Sequence, residues 1–190
     1  TNLIEKTGSE EKRVSLPDIC TSDLCYSAAD SLIEEMNCKS EIDAIVFVSQ
    51  SPDYILPATA PILQHRLGLS QECMALDVSL GCSGWVYGLS VISALVANGK
   101  MRKALLLAGD QCTRTQSPKD KTSYPLFGDA GTATIIEYNE GSNGFKFHLA
   151  TDGSGYEAII APSGGFRNYP TASDLEYVDY GEGKVMTNLH

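Results

Sequence analysis

Three short apolar runs, each preceded by a segment of helical pattern, constrain this chain more than anything else in it. Ile42, Ala44, Ile45, Val46, Phe47 and Val48 form a largely β-branched run that ends in Ser49-Gln50-Ser51-Pro52 and reads as a buried strand followed by a loop. Met74–Val78 reads as a second strand. Ala104–Ala108 is a third, with no polar alternation, the mark of a sheet covered on both faces. Thr21–Met36 carries an apolar face (Leu24, Tyr26, Leu32, Ile33), with Thr21 or Ser22 as N-cap and Asp23 in the first turn. A second helix is expected from about Ala58 to Leu67, closed by Gly68 where a left-handed C-cap wants glycine. A third runs from Ser83 to Asn98 and is apolar almost all round, which predicts burial. The order helix–strand–helix–strand–helix–strand is that of an α/β fold with a largely parallel sheet.

The flanks are less regular. Residues 1–19 are polar and read as a surface loop. Thr132–Tyr138 and Phe145–Thr151 read as an antiparallel strand pair joined by the turn-rich 139–144. Beyond Pro162 no period is sustained, and 162–190 is expected to be mostly loop. The polar start without methionine leads us to expect a segment of a longer chain with no signal peptide.

Composition narrows the functions. With 43% hydrophobic and 20% charged residues the 190-residue chain can pack a core and is neither disordered nor coiled coil. No apolar run approaches the roughly 18–20 residues that span a bilayer, so no membrane partner is expected. Fourteen Lys+Arg against 24 Asp+Glu leave a net charge of −10, which argues against nucleic acid. The cysteines at 20, 25, 38, 73, 82 and 112 show neither CxxC spacing nor a histidine at ligand spacing, so no metal is expected. Their ordinary role is that of small buried hydrophobes in a reducing cytoplasm.

Cys82 departs from that role. It stands between the strand Met74–Val78 and the next helix, flanked by Gly81 and Gly84. A nucleophile on such a corner projects from the backbone, and small neighbours leave room for a substrate. The positive end of a helix favours a thiolate, and its free amides can donate to an oxyanion. The same pattern also describes a small residue where a helix packs tightly on a strand, and local sequence does not choose between the two. No base accompanies it. His65 lies beside Arg66 on an amphipathic helix, and His148 is on the polar face opposite Phe145, Phe147 and Leu149, so both read as surface residues.

Several separate motifs, in order, carry a family resemblance. They are Lys6-Thr7-Gly8, Leu56-Pro57-Ala58-Thr59-Ala60, Leu67-Gly68-Leu69, Asp77-Val78, Gly81-Cys82-Ser83-Gly84, Gly88-Leu89, Ala108-Gly109-Asp110, Phe127-Gly128-Asp129-Ala130-Gly131 and Asp152-Gly153-Ser154. Together they resemble the N-terminal half of the β-ketoacyl-acyl-carrier-protein synthase III family of the thiolase superfamily. The resemblance implies a thiolase-like fold, one half of a layered α/β/α/β/α architecture with a mixed, largely parallel sheet. It lacks the first strand region and spans residues 1–190 as a single half. It implies that Cys82 becomes acylated and that its own amide is one of two oxyanion donors. The family's catalytic His and Asn match no position here, so the chain alone is expected to be inactive.

Other roles also come by resemblance. Lys6 and Lys121 stand where relatives often hold arginines against coenzyme A. Lysine keeps the charge but loses planar stacking and bidentate donation, which favours an acyl-carrier-protein donor. Leu56 matches a position that reaches the partner subunit's acyl pocket in a homodimer; a loop residue packing before Pro57 is the plainer reading. Acyl-coenzyme A or acyl-carrier-protein thioesters are implied as substrates, with no bound cofactor. The carrier protein is itself acidic, so docking needs a local basic patch. The implied activity is decarboxylative condensation with malonyl-acyl-carrier-protein at the start of fatty-acid synthesis. A condensing enzyme or acyltransferase of specialised metabolism and a non-catalytic scaffold subunit are the alternatives. Phe127–Gly131 lacks the spacing of a phosphate loop and reads as structural support, with Asp129 bonding to backbone. Asp77 and Asp110, at strand ends, read as satisfied turn carboxylates rather than bases.

Overall fold

A computed structural model describes residues 2–189, which fall into two compact units. The larger holds Ser15–Asp110 and Ala130–Leu149, and the other holds the rest. In the larger unit the helices are α2 (Thr21–Met36), α3 (Thr59–Arg66) and α4 (Gly84–Val96); α1 (Asn2–Thr7) belongs to the other. The sheet strands are β1 (Ala44–Val48), β2 (Met74–Val78), β3 (Lys103–Gln111) and β4 (Asp129–Glu137), in the order β2-β1-β3-β4.

β1 is the middle of this sheet. It runs parallel to β2, with Ala44 opposite Met74, and parallel to β3, with Ala44 opposite Ala104. Because strand side chains alternate, its odd and even residues enter different cores. Ile45 and Phe47, with Leu105 and Leu107 of β3, pack with Cys25, Ala29 and Ile33 of α2 and with Ala60 and Leu63 of α3. Ala44, Val46 and Val48, with Ala104 and Leu106, pack with Leu89, Ile92 and Val96 of α4. This accounts for the unbroken apolar runs read in the sequence: both faces are covered. β4 is antiparallel to β3, since Thr132 Oγ1 donates to the Ala108 carbonyl at 2.8 Å while Tyr138 N–H donates to Arg102 at 2.7 Å.

Glycines let α4 lie close to the sheet. A Cβ on Gly84 would stand 2.6 Å from Val48 Cγ1, and one on Gly88 2.6 Å from Val48 Cγ2 and 2.8 Å from Leu106 Cδ1. α3 ends as expected, with Gly68 at φ +61° and its N–H on the His65 carbonyl.

Four expectations are corrected. The cap of α2 is Cys20, not Thr21 or Ser22: Cys20 N–H donates to Asp23 Oδ2 at 2.7 Å, and Thr21 and Ser22 are fully buried. Residues 1–19 are not all loop, because α1 lies within them. α4 is covered on one face only among the described residues, leaving Trp85 43% and Val86 44% exposed. Phe145–Thr151 is not a strand. The connection before it is a succession of turns: Asn139 accepts from Gly141 and Ser142, and Gly144 takes φ +64°. These turns end the pairing, and Phe145 and Phe147 instead line a cleft of about 420 Å³ with Ser90, Ser93 and Ala94 of α4 and Ile136 of β4.

In the other unit, carboxylates organise the loops. Asp120 is 1% exposed. Burial pushes its carboxyl up, but hydrogen bonds from the side chains and amides of Ser123 and Thr122 outweigh this and hold it at about 2. Asp174 accepts from Thr171 N–H and Oγ1, Ser163 Oγ and Asn188 Nδ2, which hold it far below the usual carboxylate range. Within 162–190 the regular structure is a 3-10 turn at Ala172–Leu175 and a small antiparallel pair, β5 (Val178–Asp179) and β6 (Val185–Met186).

The close seat of α4 yields a prediction. Gly88→Ala lowers stability by about 1–3 kcal/mol, because the added methyl overpacks Val48 and Leu106. Urea unfolding of Gly88→Ala, Val48→Ala and the double variant should show the double variant losing less than the sum of the singles.

Candidate active site

The corner that carries Cys82 is built from the ends of β2 and α4. After Val78 the chain turns at Leu80, whose N–H bonds the Val78 carbonyl at 3.1 Å. It turns again where Gly84 N–H donates to the Gly81 carbonyl at 2.7 Å. Ser83 then occupies the helix cap position, and its carbonyl accepts from Val86 and Tyr87 at 3.1 and 3.2 Å. Cys82 is left at the apex, exposed, with neither its thiol nor its amide hydrogen-bonded to any described residue. An apolar, thirteen-residue helix starts immediately beyond it, so the positive end of the helix lies beside the thiol.

The other thiols are unlike it. Cys25, Cys38 and Cys73 are buried, and Cys20 and Cys112 half-buried. Burial pushes the Cys25 thiol up to about 12, against a lowering hydrogen bond at the Thr132 backbone. Burial, assisted by Asp43, pushes Cys73 up to about 11. Such thiols stay protonated and inert at neutral pH.

The floor of the corner is the segment after β1. Ser49 N–H donates to the Val78 carbonyl at 3.2 Å, Val48 lies under Gly84, and the Gln50 side chain lies against Gly81 so closely that a Cβ there would overlap Gln50 Oε1. Asp110, at the end of β3, accepts from Gln50 N–H at 2.7 Å, Ser49 Oγ at 3.0 Å and Ser51 Oγ at 3.1 Å, all on Oδ1. Asp77 is likewise occupied: its two oxygens accept Thr59 N–H at 2.7 Å and Ala60 N–H at 2.6 Å, closing the start of α3. Both carboxylates are satisfied, as read from their strand-end positions. Asp129 accepts from Thr113 N–H at 3.0 Å and Oγ1 at 2.7 Å, a supporting role rather than phosphate binding.

His65 is exposed on the last turn of α3 and His148 is exposed beyond the 139–144 turns, and neither ring is hydrogen-bonded to Cys82. Leu56 and Cys82 lie in the larger unit, while Lys6 and Lys121 lie in the other. Leu56 is 85% exposed and follows Ile55 and Tyr54, at 82% and 61%. Lys6 on α1 and Lys121 are both exposed; Lys121 N–H bonds the Gly183 carbonyl at 2.9 Å. No contact joins the two lysine side chains among the described residues. The Asp110 bonds to Ser49, Gln50 and Ser51 were not read from sequence, where the only signal is a polar triplet after one strand and an aspartate ending another.

Comparison with known proteins adds a lineage to this geometry. Residues 76–153 match the family described as 3-oxoacyl-[acyl-carrier-protein (ACP)] synthase III. The chain is similar to the β-ketoacyl-[acyl-carrier-protein] synthase III of Syntrophomonas wolfei, 35% identical over 92% of this chain and 53% of that protein. It is 36% identical to the protein of the same name from Xanthomonas oryzae, over 96% of this chain and 53% of the relative. The fold superposes on a crystal structure of a 3-oxoacyl-(acyl-carrier-protein) synthase III with TM-score 0.94 and 38% identity, covering 99% of this chain and 57% of that one. A 3-oxoacyl-(acyl-carrier-protein) synthase from Burkholderia xenovorans gives TM-score 0.86 and 35% identity over 98% of this chain and 54% of that one. The chain thus spans about half the length of the relatives it matches.

Exposure separates the thiols, and that can be measured. Under brief, limiting iodoacetamide at neutral pH, peptide mapping should find Cys82 modified first, with Cys25 and Cys73 protected at least about 100-fold. Comparable modification of Cys25 would contradict the packing described.

Proposed function

This chain belongs to the β-ketoacyl-[acyl-carrier-protein] synthase III family, as one thiolase-like half of it, and on that footing we propose that Cys82 is the acyl-accepting nucleophile of a condensing enzyme. The observation that carries the reading is the exposed Cys82 with a free amide at the start of α4. The thiolate adds to the carbonyl of an acyl thioester, and the developing oxyanion accepts from the Cys82 N–H. The donor thiol leaves and an acyl-enzyme remains. Malonyl-acyl-carrier-protein then loses carbon dioxide, and its carbanion attacks the acyl group to release a 3-oxoacyl thioester and free Cys82. Splitting the condensation in two replaces a three-body encounter with two two-body ones. No bound cofactor enters this sequence. The cellular role is the first condensation of fatty-acid synthesis, in the cytoplasm; no helix among the described residues is long and apolar enough to cross a membrane.

Lys6 and Lys121 serve the phosphates of the incoming coenzyme A or carrier-protein arm. Their exposure supports this, and lysine charge without guanidinium geometry favours the carrier protein as donor. The enzyme works as a homodimer in which Leu56 reaches the partner's acyl pocket. Two features support the pairing: the exposed run Tyr54-Ile55-Leu56, and the position of β2 at the edge of the sheet.

Two measurements test these roles in the intact enzyme. Incubation with a short acyl thioester followed by mass spectrometry should place the adduct on Cys82, and Cys82→Ala should reduce condensation by about three orders of magnitude or more. An adduct on Cys112 or Cys73 would sink the assignment. Leu56→Asp should weaken the dimer or change acyl-chain preference. A variant that remains dimeric with unchanged preference removes Leu56 from the pocket.

A further inference from the structure

The carboxylate of Asp110 lies one layer behind the Cys82 corner. Its Oδ1 gathers three donors from consecutive residues, Ser49 Oγ, Gln50 N–H and Ser51 Oγ. Three hydrogen bonds onto one oxygen tie three consecutive residues to a single point. The loop is tied further: Ser51 Oγ pairs with the fully buried Thr21 at 2.7 Å, and Ser51 N–H donates to Ser49 Oγ at 3.0 Å.

This loop touches the corner at three successive places. Val48 sits under Gly84, Ser49 N–H holds the Val78 carbonyl, and the Gln50 side chain covers Gly81. Gly81 and Cys82 have few ties of their own among the described residues, where the Gly84-to-Gly81 bond is the one turn bond across them. Without the Gln50 side chain above it, Gly81 has the wide backbone freedom of glycine, and the neighbouring thiol would move with it. The Gln50 side chain is exposed and makes no hydrogen bond to any described residue; the tie that holds Gln50 beside Gly81 is its backbone N–H on Asp110.

We propose that Asp110 is a positioning residue for Cys82, acting through the 49–51 loop and the Gln50 side chain on Gly81. This rests on the reading of Cys82 as the nucleophile. Asp110 touches no substrate in this role and moves no proton. It fixes where the sulfur and the Cys82 amide stand relative to an incoming carbonyl, and a displacement of about 1 Å at such a site costs on the order of 100-fold in rate.

The test compares intact wild-type enzyme with Asp110→Ala, Asp110→Asn and Gln50→Ala. Asp110→Ala should lower kcat for Cys82 acylation by about 10–100-fold with KM changed less than about threefold, the mark of lost geometry rather than lost binding. Asp110→Asn keeps an accepting oxygen for the same donors and should recover most of that loss. Gln50→Ala, at an exposed side chain, should reproduce part of the kcat effect without lowering the melting temperature. A merely structural Asp110 would lower the melting temperature of its alanine variant and leave Gln50→Ala and the kcat of folded enzyme untouched, which overturns the proposal. Amide hydrogen exchange separates this from the nucleophile assignment, because it needs no acyl chemistry. Exchange at residues 80–84 should be at least about tenfold faster in Asp110→Ala, and near wild type in Asp110→Asn. Unchanged exchange there overturns the anchor even if Cys82 is acylated. Wild-type enzyme acylated elsewhere, with the exchange difference present, overturns the nucleophile assignment and with it the catalytic meaning of the anchor.

Discussion

The larger unit depends on β1 being buried on both faces while paired on both edges. A strand so placed has no solvent-facing residue, and Ala44–Val48 are all buried. Its odd side chains join α2 and α3 to the sheet and its even side chains join α4. The chain leaves this strand through Val48, Ser49 and Gln50, and those residues form the floor on which the Cys82 corner rests. The most deeply buried strand is thus continuous with the floor of the Cys82 corner. Sites held on regular elements keep their geometry better than sites held on loops alone.

The carboxylates near the corner act as supports. Asp77 closes α3, and Asp110 holds the loop after β1. Neither carboxylate is hydrogen-bonded to Cys82, and neither is any histidine among the described residues. The chain therefore presents an exposed thiol beside a free amide, with no base hydrogen-bonded to either among the described residues.

The sequence was legible where burial alone decides conformation. Thr21–Met36 and Met74–Val78 begin and end where periodicity places them, because one apolar face or one short run suffices to specify each. Phe145–Thr151 was misread because its alternation is real but its partner is not: Phe145 and Phe147 line a cleft shared with α4 and the end of β4, and pair with no strand. Pattern records that a segment has an apolar side, and it does not record what that side meets. Trp85 and Val86 show the same limit, since apolarity all round a helix does not tell how many of its faces are covered. Cys82 could be singled out from its glycines and its place between strand and helix, but its standing as the exposed thiol needed the structure. The hydrogen bonds of Asp110 join positions about 60 apart in the chain, and no local signal reports a contact of that kind.

The seat of α4 on Val48 has an evolutionary consequence. Two glycines, four apart, meet the two methyls of a single valine. A larger residue at 48 has nowhere to go, and a side chain at 84 or 88 finds the valine already there. Change at any one of the three is accepted only with compensation at another, so positions 48, 84 and 88 should drift through a lineage as one heritable unit. Trp85 and Val86, exposed between the glycines, lie outside that constraint.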